Sequence, residues 1–137
     1  MGGLVAPTRC QRAPSLARGA ASAVLALGLS LSAQAQSASV PTGQTIFESR
    51  CGACHSLDAH RVGPALGNVL GRVAGKASEF SYSQALSAAR HVWDRDSLLA
   101  WLTDPESVLP GQAMGYRLEQ AQDRRDVVAY LASLAAR

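Results

Sequence analysis

Two cysteines and a histidine stand together at Cys51, Cys54 and His55, within the stretch RCGACHSL. Three chemistries use two cysteines at this spacing. A disulfide redox site sits between a strand and a helix. The flanks here show helical spacing and loop, so that reading fits poorly. A zinc site needs four ligands, commonly two such pairs. Beyond the first 35 residues no second cysteine pair exists, and His60 and His91 stand at no familiar zinc spacing. The third chemistry is covalent haem attachment, for which C-x-x-C-H is the signature. Two thiols on one helical turn each reach a vinyl group on one haem edge, and the next imidazole points at the iron.

Iron held by one histidine needs a second ligand or keeps an open face. Met114 lies 59 residues after His55, just beyond Pro110-Gly111. A lone methionine is commonly core filler. This one falls in a Gly-rich, non-helical stretch where packing offers no evident reason for it. A thioether is a soft ligand, and His/Met ligation raises the reduction potential. His91 is the rival for the same position. His60 follows His55 too closely to cross the haem plane and is expected at the surface.

The elements that must position these residues are helices. The chain has 137 residues. Arg9, Arg12 and Arg18 are the charged residues before Glu48, and Gly19 to Leu31 is an apolar run of 13 residues followed by Ala33-Gln34-Ala35. A basic start, a short apolar run and a small-x-small site describe a secretory signal. The run is short for a membrane span, which takes about 20 residues. The expectation is a signal over residues 1–35 and a single domain over 36–137, exported to the periplasm and not stably inserted in a membrane. Without the leader the remainder holds 10 basic and 10 acidic side chains, a net charge of zero. That balance supplies no attraction for nucleic acid. About 100 residues make a marginal polypeptide core, which a large apolar cofactor would complete.

Thr42 can cap a helix from about Gly43, with Ile46, Phe47, Cys51 and Cys54 along one face. From Leu57 to Lys76 glycines mark loop. Ser81 or Ser83 opens a short helix through Ala89. Asp94 caps a longer one carrying Leu98, Leu99, Trp101 and Leu102, which Pro105 ends. Asp123 opens a last helix with Val127, Val128, Leu131, Leu134 and Ala135 on one side. No period-2 segment of any length occurs. The fold class is all-α, about four helices joined by loops long enough to need another organiser.

With these features in place, Thr42 to Leu134 resembles the small soluble cytochromes c of mitochondria and purple bacteria, class I of the c-type cytochromes. Gly43 and Phe47 match that family's first helix, Tyr130 and Leu131 its last, and the two helices cross near the glycine. GPALGNVLGR resembles the family's loop after the haem motif, which makes Pro64 the backbone acceptor for the His55 ring N–H. The resemblance places Arg72, Tyr82 and Trp93 at the haem propionates. It implies one haem c, covalent through Cys51 and Cys54, with iron between His55 and Met114. The implied function is one-electron transfer with redox protein partners, a respiratory or photosynthetic complex or a periplasmic dehydrogenase, by a monomer that is not an enzyme. Two other readings stay open: a haem subunit held permanently by a periplasmic dehydrogenase, and a ligand-binding or peroxidatic haem protein in which Met114 does not bind.

Several positions depart from the family. Trp101 stands where a tyrosine is usual beside the sulfur ligand, Leu86 replaces an asparagine, and Gln112 a threonine. Of the basic ring around the exposed haem edge Arg50 remains, while Glu106 and Ala113 replace two lysines.

Overall fold

The structure is a computed structural model and describes residues 37–135. The expected signal, residues 1–35, lies outside the described residues. The described chain is helical, with an isolated antiparallel bridge between Val73 and Val92 in place of any strand. The all-α expectation holds. Five α-helices and one π-helical turn are present among the described residues.

Helix α1 spans Val40–Ile46. Its cap is Ser39, three residues before the expected Thr42: Ser39 Oγ accepts from Thr42 N at 3.3 Å and from Thr42 Oγ1 at 2.8 Å. Pro41 explains the earlier start, since proline suits the first helical turn, where its missing N–H has no partner to lose. The helix then widens into a π turn, Phe47–Cys51, in which Gly52 N donates to Phe47 O at 3.0 Å. A π turn adds a residue to the repeat. Cys51 still packs against the core with Ile46 and Phe47, while Cys54, beyond the turn, is exposed.

Helix α2 (Gln84–Ala88) is capped by Ser83. Helix α3 (Arg95–Thr103) has Asp94 as cap, with Ser97 closing a reciprocal capping box. Pro105 does more than end α3. It opens α4 (Pro105–Val108), whose cap is Asp104. A residue before proline is pushed out of the helical region. Asp104 is accordingly extended, at φ −158°, and both terminates one helix and caps the next. Helix α5 (Ala121–Ala135) starts two residues before the expected Asp123, which lies in its first turn, where a carboxylate suits the helix dipole.

Helix α1 crosses α5 at Gly43. A Cβ there would lie 1.9 Å from Asp126 O and 2.9 Å from Tyr130 Cβ. Asp126, 3 % exposed, locks the crossing: its Oδ1 accepts from Ser39 N at 2.8 Å and from Gln122 Nε2 at 2.9 Å. A buried carboxylate needs such partners. Phe47 meets Tyr130 one turn away, ring centroids 5.7 Å apart. Helix α3 also packs on α5, and the core gathers Phe47, Trp93, Trp101, Leu102, Val127 and Leu131, with Cys51 and Met114 half-buried against it. No helix among the described residues is long and apolar enough to cross a membrane.

Candidate functional site

Past the π turn, His55 N donates to Cys51 O at 2.8 Å and Cys54 N to the same carbonyl at 3.0 Å. This turn holds both cysteines and the histidine as one rigid unit. The segment Arg61–Pro64 straps across it. Gly63 N donates to Cys54 O at 2.8 Å, and Arg61 Nη1 to Gly52 O at 3.2 Å. Under the strap, His55 Nδ1 lies 2.8 Å from Pro64 O. A carbonyl only accepts, so Nδ1 carries the proton and Nε2 keeps its lone pair. Gly63 permits this approach, since a Cβ there would stand 2.1 Å from His55 Cε1. Sequence reasoning took Gly63 for loop punctuation. The signal for its role was its place beside a backbone acceptor, where only glycine leaves room for a ring.

Cys51 and Cys54 are both free thiols. Burial pushes the Cys51 thiol up to about 11, with the neighbouring Cys54 sulfur adding to it. At neutral pH Cys51 is therefore an uncharged thiol. No three His, Cys, Asp or Glu side chains among the described residues group as a metal site. The donor set fits haem attachment instead: two reduced thiols on one turn, and beside them an imidazole with a free Nε2.

Met114 sits in the loop between α4 and α5, half-buried against the core. Its backbone is tied from one side chain to the next. Met114 N donates to Gln112 Oε1, Gln112 Nε2 donates to Glu106 Oε2 at 3.2 Å, and Gly111 N donates to Glu106 Oε1 at 2.9 Å. Glu106 and Gln112, two of the departures noted above, thus form one latch for this loop. The sulfur is met from α3, where Trp101 Nε1 lies 3.1 Å from Met114 Sδ.

Of the remaining predicted site residues, Arg72 and Trp93 are brought together by the bridge: Trp93 N donates to Arg72 O at 2.9 Å, and Arg72 Nη2 donates to Ala65 O at 3.0 Å. Trp93 stands edge-on between His91 and Trp101, at 4.5 and 5.2 Å between centroids. Tyr82 leans on Phe80, ring centroids 4.8 Å apart. His91 is half-buried and its Nε2 is buried without a partner. His60, expected as a plain surface residue, is half-buried. Its Nδ1 accepts from Ala65 N at 3.0 Å, its Nε2 donates to Ser78 O at 2.7 Å, and its ring meets Phe80 at 5.3 Å. It is a cross-brace between two loops, which no local spacing announces.

A helical scaffold with a C-x-x-C-H turn, a strapped imidazole and a half-buried thioether in another loop carries the donor chemistry of a haem c protein. Comparison with known proteins agrees. The chain is 39 % identical over 93 residues to cytochrome c of Kluyveromyces lactis, covering 65 % of this chain and 84 % of that one. It is 38 % identical over 131 residues to cytochrome c2 of Rhodopseudomonas palustris, covering 77 % and 94 %. Among solved structures it is similar to cytochrome cH from Methylobacterium extorquens, with a TM-score of 0.66 and 33 % identity over 69 % of this chain and 98 % of that one. The cytochrome c family model matches residues 40–135. The chain belongs to the cytochrome c family. It carries haem c, attached covalently through Cys51 and Cys54, and its function is haem-based electron transfer with redox partners.

Proposed function

We propose that this protein is a periplasmic one-electron carrier whose haem iron is held between His55 and Met114. The observation that carries the ligand reading is the His55 ring. Its Nδ1 is committed to Pro64 O at 2.8 Å, which orients the ring, makes Nε2 the ligating nitrogen and raises its basicity. Met114 is the second ligand by its chemistry and by its latched loop. Arg72, Tyr82 and Trp93 serve the propionates, Arg72 and Trp93 being already joined by their backbones.

The haem supplies an iron that alternates between ferrous and ferric states. The chain's own residues do the rest: Cys51 and Cys54 fix the group to one turn, the strap holds the imidazole, and the core around Trp93, Trp101 and Leu102 excludes water. With His55 and Met114 both committed to the iron, oxygen and peroxide would find no open site there, and the protein would act as a carrier rather than an enzyme. Export rests on the basic and apolar pattern of residues 1–35, and the carrier acts as a monomer on a redox complex or dehydrogenase.

The test is direct. The protein recovered from the periplasm should begin near Gln36 and keep its haem through acid-organic extraction. The ferric form should show the weak far-red absorption of sulfur bound to iron. Met114→Ala should erase it, lower the potential and let the ferrous protein bind carbon monoxide. If His91→Ala does this while Met114→Ala changes nothing, the ligand assignment fails.

A further inference from the structure

Met114 hangs from a turn that one carboxylate holds shut. Leu109-Pro110-Gly111-Gln112 is a β-turn, closed by Gln112 N donating to Leu109 O at 3.2 Å. Proline at its second place and glycine at its third, with φ +82°, suit a type II turn. That closure uses Gln112 N and leaves Gly111 N for another acceptor. Glu106, in the first turn of α4, supplies it. Glu106 Oε1 takes Gly111 N at 2.9 Å, and Oε2 takes Gln112 Nε2 at 3.2 Å. The amide held in this way turns its own oxygen to Met114 N. Glu106 therefore reaches Met114 through Gln112, and the two side chains act in series.

The base of this loop is closed by other means. Arg117 Nη2 lies 2.7 Å from Asp104 Oδ1, and Leu118 N donates to Leu102 O at 2.9 Å. Among the described residues, Met114 N makes the one backbone hydrogen bond between Ala113 and Arg117. The latch can thus open while the base and the helices stay in place. Glu106 is exposed, so its removal leaves no cavity in the core. Hydrogen bonds to a carboxylate are the stronger class, and here both oxygens are used. An outside ligand displaces a sulfur from iron only when the loop carrying that sulfur lets go. Its apparent affinity scales with the fraction of molecules in which the loop is released.

We infer that Glu106 is a positioning residue that keeps the Met114 sulfur on the iron: with Gln112 it forms one latch, whose local opening sets how readily an outside ligand reaches the ferric protein. This rests on Met114 being the iron ligand. The probe is imidazole, titrated into the ferric holoprotein and followed by loss of the far-red sulfur-to-iron absorption. Glu106→Ala should keep that band before imidazole is added and bind imidazole about tenfold more tightly. Its urea midpoint should stay within about 0.3 M of the parent. Glu106→Gln keeps one accepting oxygen and should fall between the two. Gln112→Ala should bind as Glu106→Ala does, and the double variant no more tightly than either, as expected of two groups in one path. Glu119→Ala, which removes an exposed carboxylate beyond the loop, should match the parent. Equal imidazole affinity in Glu106→Ala and the parent, or an equal gain in Glu119→Ala, overturns the inference and leaves the ligand reading intact. So does a gain accompanied by a midpoint fall of about 0.7 M, which tenfold loosening of the whole chain would give. A parent protein without the band overturns both. If the variants do not mature, amide hydrogen exchange of the unmodified ferrous holoprotein decides. Gly111 and Met114 N–H groups slowed about tenfold or more support the latch, and exchange at the rate of an open chain overturns it.

Discussion

Gly63→Ala tests the geometry that makes His55 a ligand. The added Cβ would lie 2.1 Å from Cε1, 2.6 Å from Nδ1 and 2.7 Å from Nε2 of His55. Carbon atoms settle about 3.5–4.0 Å apart, so the ring or the strap must give by about 1.5 Å. The ring cannot swing without leaving Pro64 O, now 2.8 Å away. The strap cannot lift without stretching Gly63 N from Cys54 O, also 2.8 Å. One hydrogen bond lost costs about 1 kcal/mol, and overpacking a well-filled contact costs about 1–3 kcal/mol. Together these destabilise the holoprotein by about 2–4 kcal/mol. With a urea slope of about 2 kcal/mol/M for a domain of this size, the unfolding midpoint should fall by about 1–2 M. Helical circular dichroism at increasing urea reads it. Gly115→Ala is the control, one residue from Met114 but with open space around its Cβ position; its midpoint should move by no more than about 0.3 M, as for an ordinary surface change. If Gly63→Ala unfolds where Gly115→Ala does, the imidazole is not packed on the strap and the ligand geometry argued from it is wrong.

Gly43→Ala should be more damaging to the fold and indifferent to the site's chemistry. Its Cβ meets backbone, Asp126 O at 1.9 Å, so α1 and α5 must separate. A loss of about 3 kcal/mol or more is expected, lowering the calorimetric melting temperature by more than about 10 °C, and a melting point within a few degrees of the parent would refute the crossing. Acid should weaken the cap of α3. Asp94 titrates below its ordinary value of 3.8, chiefly because the Ser97 hydroxyl and then the Ser97 N–H favour the carboxylate. A depressed folded pKa stabilises fully above the ordinary value and is lost as pH falls through the depressed one. The stability difference between the parent and Asp94→Asn should therefore be constant at neutral pH and shrink below about pH 3.8. A difference that stays constant down to pH 2 would show that the carboxylate contributes nothing in its charged form.

Much of this protein is written in local signals. Cys51, Cys54 and His55 announce their chemistry by type and spacing, because attachment takes place within one turn of backbone. The caps of α2 and α3 were legible for the same reason: Ser83 and Asp94 bond N–H groups three residues on. Where two local signals competed, the reading slipped. Pro41 drew the start of α1 back to Ser39, and Asp104, set extended by Pro105, turned an expected helix end into a second cap. The π turn at Phe47–Cys51 left no mark in the hydrophobic spacing, since it depends on how Phe47 and Cys51 seat in a core that the rest of the chain supplies.

The residues that decide the site's fine geometry belong to tertiary structure. Residue types and intervals alone determined that the chain is helical and carries a C-x-x-C-H motif, with Met114 as the candidate sulfur. The family resemblance, in turn, singled out Trp101, Glu106 and Gln112 as departures, without a role for any of them. Packing supplied those roles, bringing Trp101 Nε1 to the Met114 sulfur and closing Glu106 and Gln112 into one latch on its loop. It also turned His60 from an expected surface residue into a brace between loops 18 residues apart. The physical reason is one of range. Caps, turns and motif chemistry act over three or four residues and read directly from sequence. Contacts such as Gly43 with Asp126, or Ser39 with Asp126 across 87 residues, exist only once the chain has closed on itself.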